Sequence, residues 1–201
     1  MNLKTTLEAI ISIRVAGFTL TNSKSIGTDD GSCWHATLTS GKQPLVEVSN
    51  GGYGGPDDLR YAAGANQPNS PVGKLLANFK ALPAVQENVK QIKIDHARMC
   101  QATDKLSDEE LAKQIEEIAG STVEVSEEDL GMVVGWMADV YQTVKSMKRQ
   151  VKSKVIIIEA DNFDGSYVSY KAADTPAIRE KIKGIHKKPI ACFAADLIAQ
   201  L

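Results

Sequence analysis

The sequence is short of aromatic residues, of cysteine and histidine, and of long apolar runs, and each shortage removes a class of protein. Aromatic residues make up only 5% of the 201 residues. The core must therefore be aliphatic, and few rings are left to act as stacking platforms, which argues against a single-stranded nucleic-acid binder. Cys33, Cys100 and Cys192 are odd in number and far apart, so they outline no disulfide framework and point to a reducing compartment. Apolar runs such as residues 155–158 fall far below the roughly 20 residues that cross a bilayer. No N-terminal stretch combines the charged, apolar and small-residue regions of a secretory signal. The expectation is a soluble cytoplasmic protein that does not associate with membranes.

What is present is ordinary globular composition, 43% hydrophobic and 24% charged, with a formal net charge of -2. The charge is unevenly dealt. Residues 108–129 are rich in Asp and Glu, whereas residues 145–154 and 181–188 are rich in Lys. Such blocks are commonly solvated helix faces.

Leu7, Ile10, Ile11 and Val15 predict a short amphipathic helix over residues 3–14 that runs into a strand, although the β-branched run from Ile10 to Val15 equally suits a strand. From Phe18 the apolar period becomes two. Segments at 18–20, 32–39 and 45–49, with turn residues Asp29-Asp30-Gly31 and Ser40-Gly41-Lys42 between them, predict a three-stranded β-meander. Trp34, Ala36 and Leu38 mark its core face, and Pro44 places the third strand just after it or on an edge. Residues 50–71 read as one long loop. Helical period follows from Val72, broken at Pro83 and resuming to Met99. Ser107 with Glu110 forms a capping box for a helix closed by Gly120, and Ser126 opens a longer helix with acids first and Lys145, Lys148 and Arg149 last. Residues 154–160 and 167–171 around Asp164-Gly165 predict a hairpin. Two strands alone are marginal, so the hairpin is expected to join the meander. Thr175-Pro176 starts a helix, and the tail after Pro189 predicts another. The fold class is α+β: an antiparallel sheet of an N-terminal meander plus a C-terminal hairpin, with a helical insertion. One domain spans 1–201, with the meander and Gly-rich loop in 1–71, the helical insertion in 72–152, and the hairpin and closing helices in 153–201.

The candidate ligand or partner site is the Gly-rich loop Asn50, Gly51, Gly52, Tyr53, Gly54, Gly55 with Arg60 and Tyr61. It lacks the Gly-Lys-Ser/Thr of a phosphate loop, and no helix starts there, so it is no nucleotide fingerprint. It is either a plain crossing out of the sheet or a stretch whose bare N–H groups approach an anion or a partner, with Tyr53, Arg60 and Tyr61 as contacts. Each histidine lies near a cysteine: His35 near Cys33, His96 one helical turn from Cys100, and His186 before Cys192. Zinc needs four converging ligands, and no metal site is assigned. Glu47, Asp57, Asp58, Glu159, Asp161 and Asp164 sit at strand ends and turns, where acids are usually turn formers. The Lys-rich blocks suit phosphate in general, but no reading motif accompanies them, so sequence-specific nucleic-acid binding is disfavoured. No catalytic residue and no cofactor is assigned.

Two stretches together resemble small uncharacterised proteins of tailed phages, in which a strand pair is followed by Asn-Asp-Gly-x-Gly-Gly. The first is Trp34-His-Ala-Thr-Leu, Val46-Glu-Val-Ser-Asn50 and Gly51-Gly-Tyr-Gly-Gly55. The second is Lys148-Arg149, Lys152, Lys154-Val-Ile-Ile-Ile158, Gly165-Ser-Tyr167 and residues 178–182. The chain departs from that pattern at Gly51 and after Gly184. The resemblance implies a viral origin and a host-cytoplasmic location, and transfers no catalytic residue. The expected role is a non-enzymatic accessory protein that inhibits a host anti-phage defence component. It would do so by occluding a protein surface, with residues 108–129 mimicking nucleic-acid charge, or by sequestering a nucleotide signal at the Gly-rich loop. A virion or assembly component, active as a homo-oligomer, and a metal-dependent enzyme of nucleotide metabolism are the alternatives.

Overall fold

The computed structural model describes residues 2–28, 31–52, 57–104, 106–160 and 166–201. The turns expected at Asp29-Asp30 and Asp164-Gly165 lie outside the described residues. The elements run α1 (Leu3–Val15), β1 (Phe18–Thr28), β2 (Gly31–Ser40), β3 (Gln43–Asn50), β4 (Asp58–Tyr61), α2 (Pro71–Lys80), α3 (Pro83–Asp104), α4 (Asp108–Gly120), α5 (Glu127–Gln150), β5 (Val155–Glu159), β6 (Val168–Tyr170), α6 (Pro176–Ile185), β7 (Ile190–Phe193) and α7 (Ala194–Ile198). This is the α+β class read from the sequence. The chain divides into two compact units: a terminal unit of Met1–Ala16 with Met137–Leu201, and a central unit of Gly17–Trp136. No helix among the described residues is long and apolar enough to cross a membrane.

The central unit is built on a four-stranded antiparallel sheet in the order β1-β2-β3-β4. The meander is as expected, with the chain reversing at Gly41, which takes φ 56° as a tight turn requires. A register shift between Thr21 and Lys24 contains Asn22 at φ 53°, one of the few side-chain types that tolerate a left-handed position. Pro44 lies inside β3, not ahead of it, and β3 is an interior strand. The sheet accommodates it with a second register shift, between Leu38 and Thr39, because a bulge is where a missing N–H does least harm. The stretch read as a long loop contains β4, which pairs Asp58–Tyr61 with β3.

Ala36, Leu38, Leu45, Val46 and Val48 from the sheet are buried, as are Phe79, Val85, Val89, Leu130, Val133 and Val134 from the helices. Phe18 and Phe79 meet edge to face at 5.3 Å between centroids, a favoured aromatic geometry. Trp34 comes so close to α5 that a Cβ on Gly135 would lie 2.9 Å from its ring. Only glycine leaves that room.

In the terminal unit the hairpin does not join the meander. The second sheet has the order β6-β5-β7. Every residue of β5 is buried, so it needs a neighbour on both edges, and residues 190–193 supply the second as a strand where a helix had been expected. Val155, Ile157, Ile182 and Phe193 form one core cluster. In α1, Leu3, Leu7, Ile10 and Ile13 are buried at helical spacing, and the helix starts where Asn2 Oδ1 accepts from Thr5 N at 2.9 Å.

Two polar knots tie this unit together. Arg179 donates to Asp174 through Nε and Nη2 at 2.6 and 2.8 Å and to Asp196 through Nη1 and Nη2 at 2.9 Å each, while lying 4.6 Å over the Phe193 ring. The buried Glu159 lies 3.0 Å from His186 Nε2 and accepts from Lys188 Nζ at 3.0 Å. On its other side His186 Nδ1 meets Tyr170 Oη at 2.7 Å.

Removing the Phe79 ring by Phe79→Ala is expected to cost about 3–5 kcal/mol, read from the urea midpoint at unchanged slope. A loss below about 1 kcal/mol would mean that the Phe18 contact is not central to this core. The hydrogen bonds from Arg179 hold the Asp174 carboxyl below its usual range. A lowered native pKa gives stability that is present above the unfolded value of about 3.9 and is lost as the pH falls through the native one. Asp174→Asn should therefore lower the melting temperature at neutral pH and flatten its decline in acid. An equally steep decline in the variant would contradict this.

Candidate functional site

Both ends of the Gly-rich loop are pinned. Asn50 Nδ2 donates to Asp57 Oδ1 at 2.8 Å, and Asn50 Oδ1 accepts from Gly52 N at 2.8 Å. The second bond closes a turn of the kind asparagine favours, with Gly52 at φ 79°. Asp57 in turn rests on α5, where a Cβ on Gly131 would lie 2.8 Å from its Oδ2. Gly51 and Gly52 thus begin a loop anchored at its base, and the Gly52 N–H is committed to that anchor. Tyr53, Gly54 and Gly55 lie outside the described residues.

Arg60 and Tyr61 follow on β4 and diverge. Arg60 is exposed and paired in register with Glu47. Tyr61 is half-buried and lines a cavity of about 220 Å³ with Asn66, Lys80 and Glu127. Burial, reinforced by the charge of Glu127 and a hydrogen bond to it, pushes the Tyr61 phenol up to about 12. Lys80 Nζ donates across to the Val125 carbonyl at 2.9 Å. The rim is made by successive turns over residues 62–70. A Cβ on Gly73 would fall 1.9 Å from the Gln67 carbonyl oxygen, so this rim closes only on glycine. The volume is below the roughly 300–1,000 Å³ of small-molecule sites, and Glu127 is unfavourable to a phosphate there. Nothing in the sequence pairs Glu127 with Tyr61; their meeting needs the fold.

The cysteine and histidine pairs fare differently. His96 and Cys100 are in contact, with Sγ 3.6 Å from Nε2, while His186 is taken up by Tyr170 and Glu159. Cys33 is exposed on β2, and burial pushes the Cys192 thiol up to about 11, which makes it unreactive near neutral pH. No group of three or more His, Cys, Asp or Glu side chains among the described residues is placed to hold a metal. Of the strand-end acids, Asp57 is bonded to Asn50 and Glu159 to Lys188, and Asp161 and Asp164 lie outside the described residues.

The acidic block forms a continuous surface feature. Helix α4 has no buried residue and packs on α3 through half-buried Leu111, Ile115 and Ile118. Its start is fixed by a complete capping box, with Glu110 Oε2 accepting from Ser107 N and Oγ at 2.9 and 2.8 Å. Its end is held by Lys90 Nζ, which donates to the Ala119 carbonyl at 2.8 Å. Residues 108–129 carry nine carboxylates against the one lysine, Lys113. Eight of the nine are exposed, Asp129 being the exception. Charge also separates by unit: 17 acidic against ten basic side chains in the central unit, eight against 13 in the terminal one.

Spectrophotometric titration should find one tyrosine ionising near pH 12, later than the ordinary value of about 10. Glu127→Gln should move it part of the way back, since burial is the larger cause and remains. The raised phenol adds stability that is complete below pH about 10 and is lost as the pH rises towards 12. A uniform tyrosine titration in both proteins would contradict this geometry. No family model, no curated protein and no solved structure matches the chain.

Proposed function

We propose that the protein acts by binding. It is read as a phage accessory protein of the host cytoplasm that lays its acidic helical face on the basic, nucleic-acid-binding surface of a host defence protein and thereby inhibits it. The observation that carries this reading is helix α4, which has no fully buried residue and holds its acids at the surface. A helix so acidic adds little to the core, and its concentrated charge is unfavourable to the compact state through self-repulsion. A field of one sign steers a basic partner and fixes its approach. Sequestration of a nucleotide at Asn50 to Tyr61 has less support, because the Gly52 N–H is spent within its own turn and Glu127 stands beside Tyr61.

The test uses Glu109→Lys, Glu116→Lys and Glu117→Lys together, leaving Glu110 to keep its capping role. Wild-type protein should capture a basic nucleic-acid-binding protein from host lysate and release that protein's DNA in a gel-shift assay. The triple variant, with unchanged circular dichroism, should need at least about tenfold more protein for the same release. Equal inhibition by the variant, or capture with no effect on DNA binding, would overturn the reading.

A further inference from the structure

Beside the acidic face, α3, α4 and the start of α5 enclose a cavity of about 510 Å³ within the central unit. Ile92, Ala97, Met99, Ile118 and Met132 give it an apolar lining, interrupted by His96, Cys100 and Gln114. Glu128 and the Lys93–Asp129 pair, at 3.3 Å, stand at its side. Met99 is 73% exposed, a large apolar side chain left in water next to a hollow that it only partly fills.

We propose that this cavity is the anchor site for a basic amphipathic helix of the partner protein; the proposal rests on the acidic-face reading and supplies its point of contact. Several features select that occupant. The eight exposed carboxylates of residues 108–129 call for a cationic ligand. The enclosing walls are three helices, whose backbone groups are already paired, so an added β-strand has no edge to join. The lining contains no Trp, Tyr or Phe, the rings that line the grooves taking polyproline segments. An apolar hollow between helices with charge around it is the arrangement that receives the apolar face of a helix. Unbranched Met99 and Met132 can reshape to the inserted side chain.

The probe is a fluorescein-labelled Lys/Leu peptide patterned as an amphipathic helix, compared with a scrambled peptide of the same composition, by anisotropy on the full chain. The patterned peptide should bind at least about tenfold more tightly than the scrambled one. Met99→Glu, at an exposed position where folding is not at stake, should remove most of that difference, and Ile118→Glu should do the same from α4. Both substitutions add negative charge, so attraction by charge alone would be kept or strengthened. Equal binding of the two peptides, undisturbed by Met99→Glu, would overturn the anchor site while leaving the acidic-face reading intact. Binding of neither peptide would overturn the anchor site, and the acidic face would then stand or fall on its own DNA-release assay. A concentration-dependent dimer broken by Met99→Glu, with no peptide affinity, would assign the hollow to a second copy of the chain and overturn the proposal as well.

Discussion

The carboxylate of Asp129 fixes where α5 begins, and the binding features of the central unit follow from that point. It is buried, with Oδ2 accepting from Ser126 N and Oγ at 3.0 and 2.9 Å and lying 3.3 Å from Lys93 Nζ, while Ser126 Oγ accepts from Asp129 N at 3.1 Å. A cap of this kind contributes about 1 kcal/mol. A buried carboxylate without its partners would cost considerably more. The same group therefore does two things: it starts a helix and ties that helix to α3. With α5 so placed, Glu127 arrives beside Tyr61, Gly131 against Asp57, and Met132 in the lining of the larger cavity with Met99.

Charge then divides the labour. The terminal unit carries an excess of basic side chains and neutralises its buried or half-buried acids locally, Asp174 through Arg179 and Glu159 through Lys188. The central unit has the opposite excess and leaves most of it in solvent on α4 and the entry to α5. Exposed charges of one sign contribute little to stability, whereas they govern the rate and selectivity of encounter. An apolar hollow beside such a field supplies what the field lacks, a desolvated contact that holds the partner once it has arrived.

Elements with strong local signals were legible in the sequence. The capping box at Ser107, the acid-to-base gradient along α5 and the break at Pro83 all describe helices whose ends are set by their own residues. Strand β4 was not legible, because four residues with little apolar character become a strand only when β3 offers an edge. Residues 190–193 were read as helix for a related reason: their strand character comes from β5, which is apolar on both faces and cannot be left with a bare edge. Of the candidate site, Asn50 and Tyr61 were singled out, but Asp57 was read only as a strand-end acid and Glu127 not at all, since side chains from separate elements carry no shared period. The cavity was invisible for the same reason; Met99, Ile118 and Met132 belong to three different helices.

The central claim is that the acidic face of the central unit meets a basic partner. Zero-length carbodiimide coupling in host lysate, which joins carboxylates to lysines already in contact, followed by peptide mass spectrometry, tests it most directly. The account predicts cross-links concentrated on Glu109, Glu116, Glu117 and Glu124, each to lysines of one nucleic-acid-binding protein. Cross-links arising mainly from lysines of the terminal unit, with residues 108–129 no more coupled than other exposed acids, would contradict it.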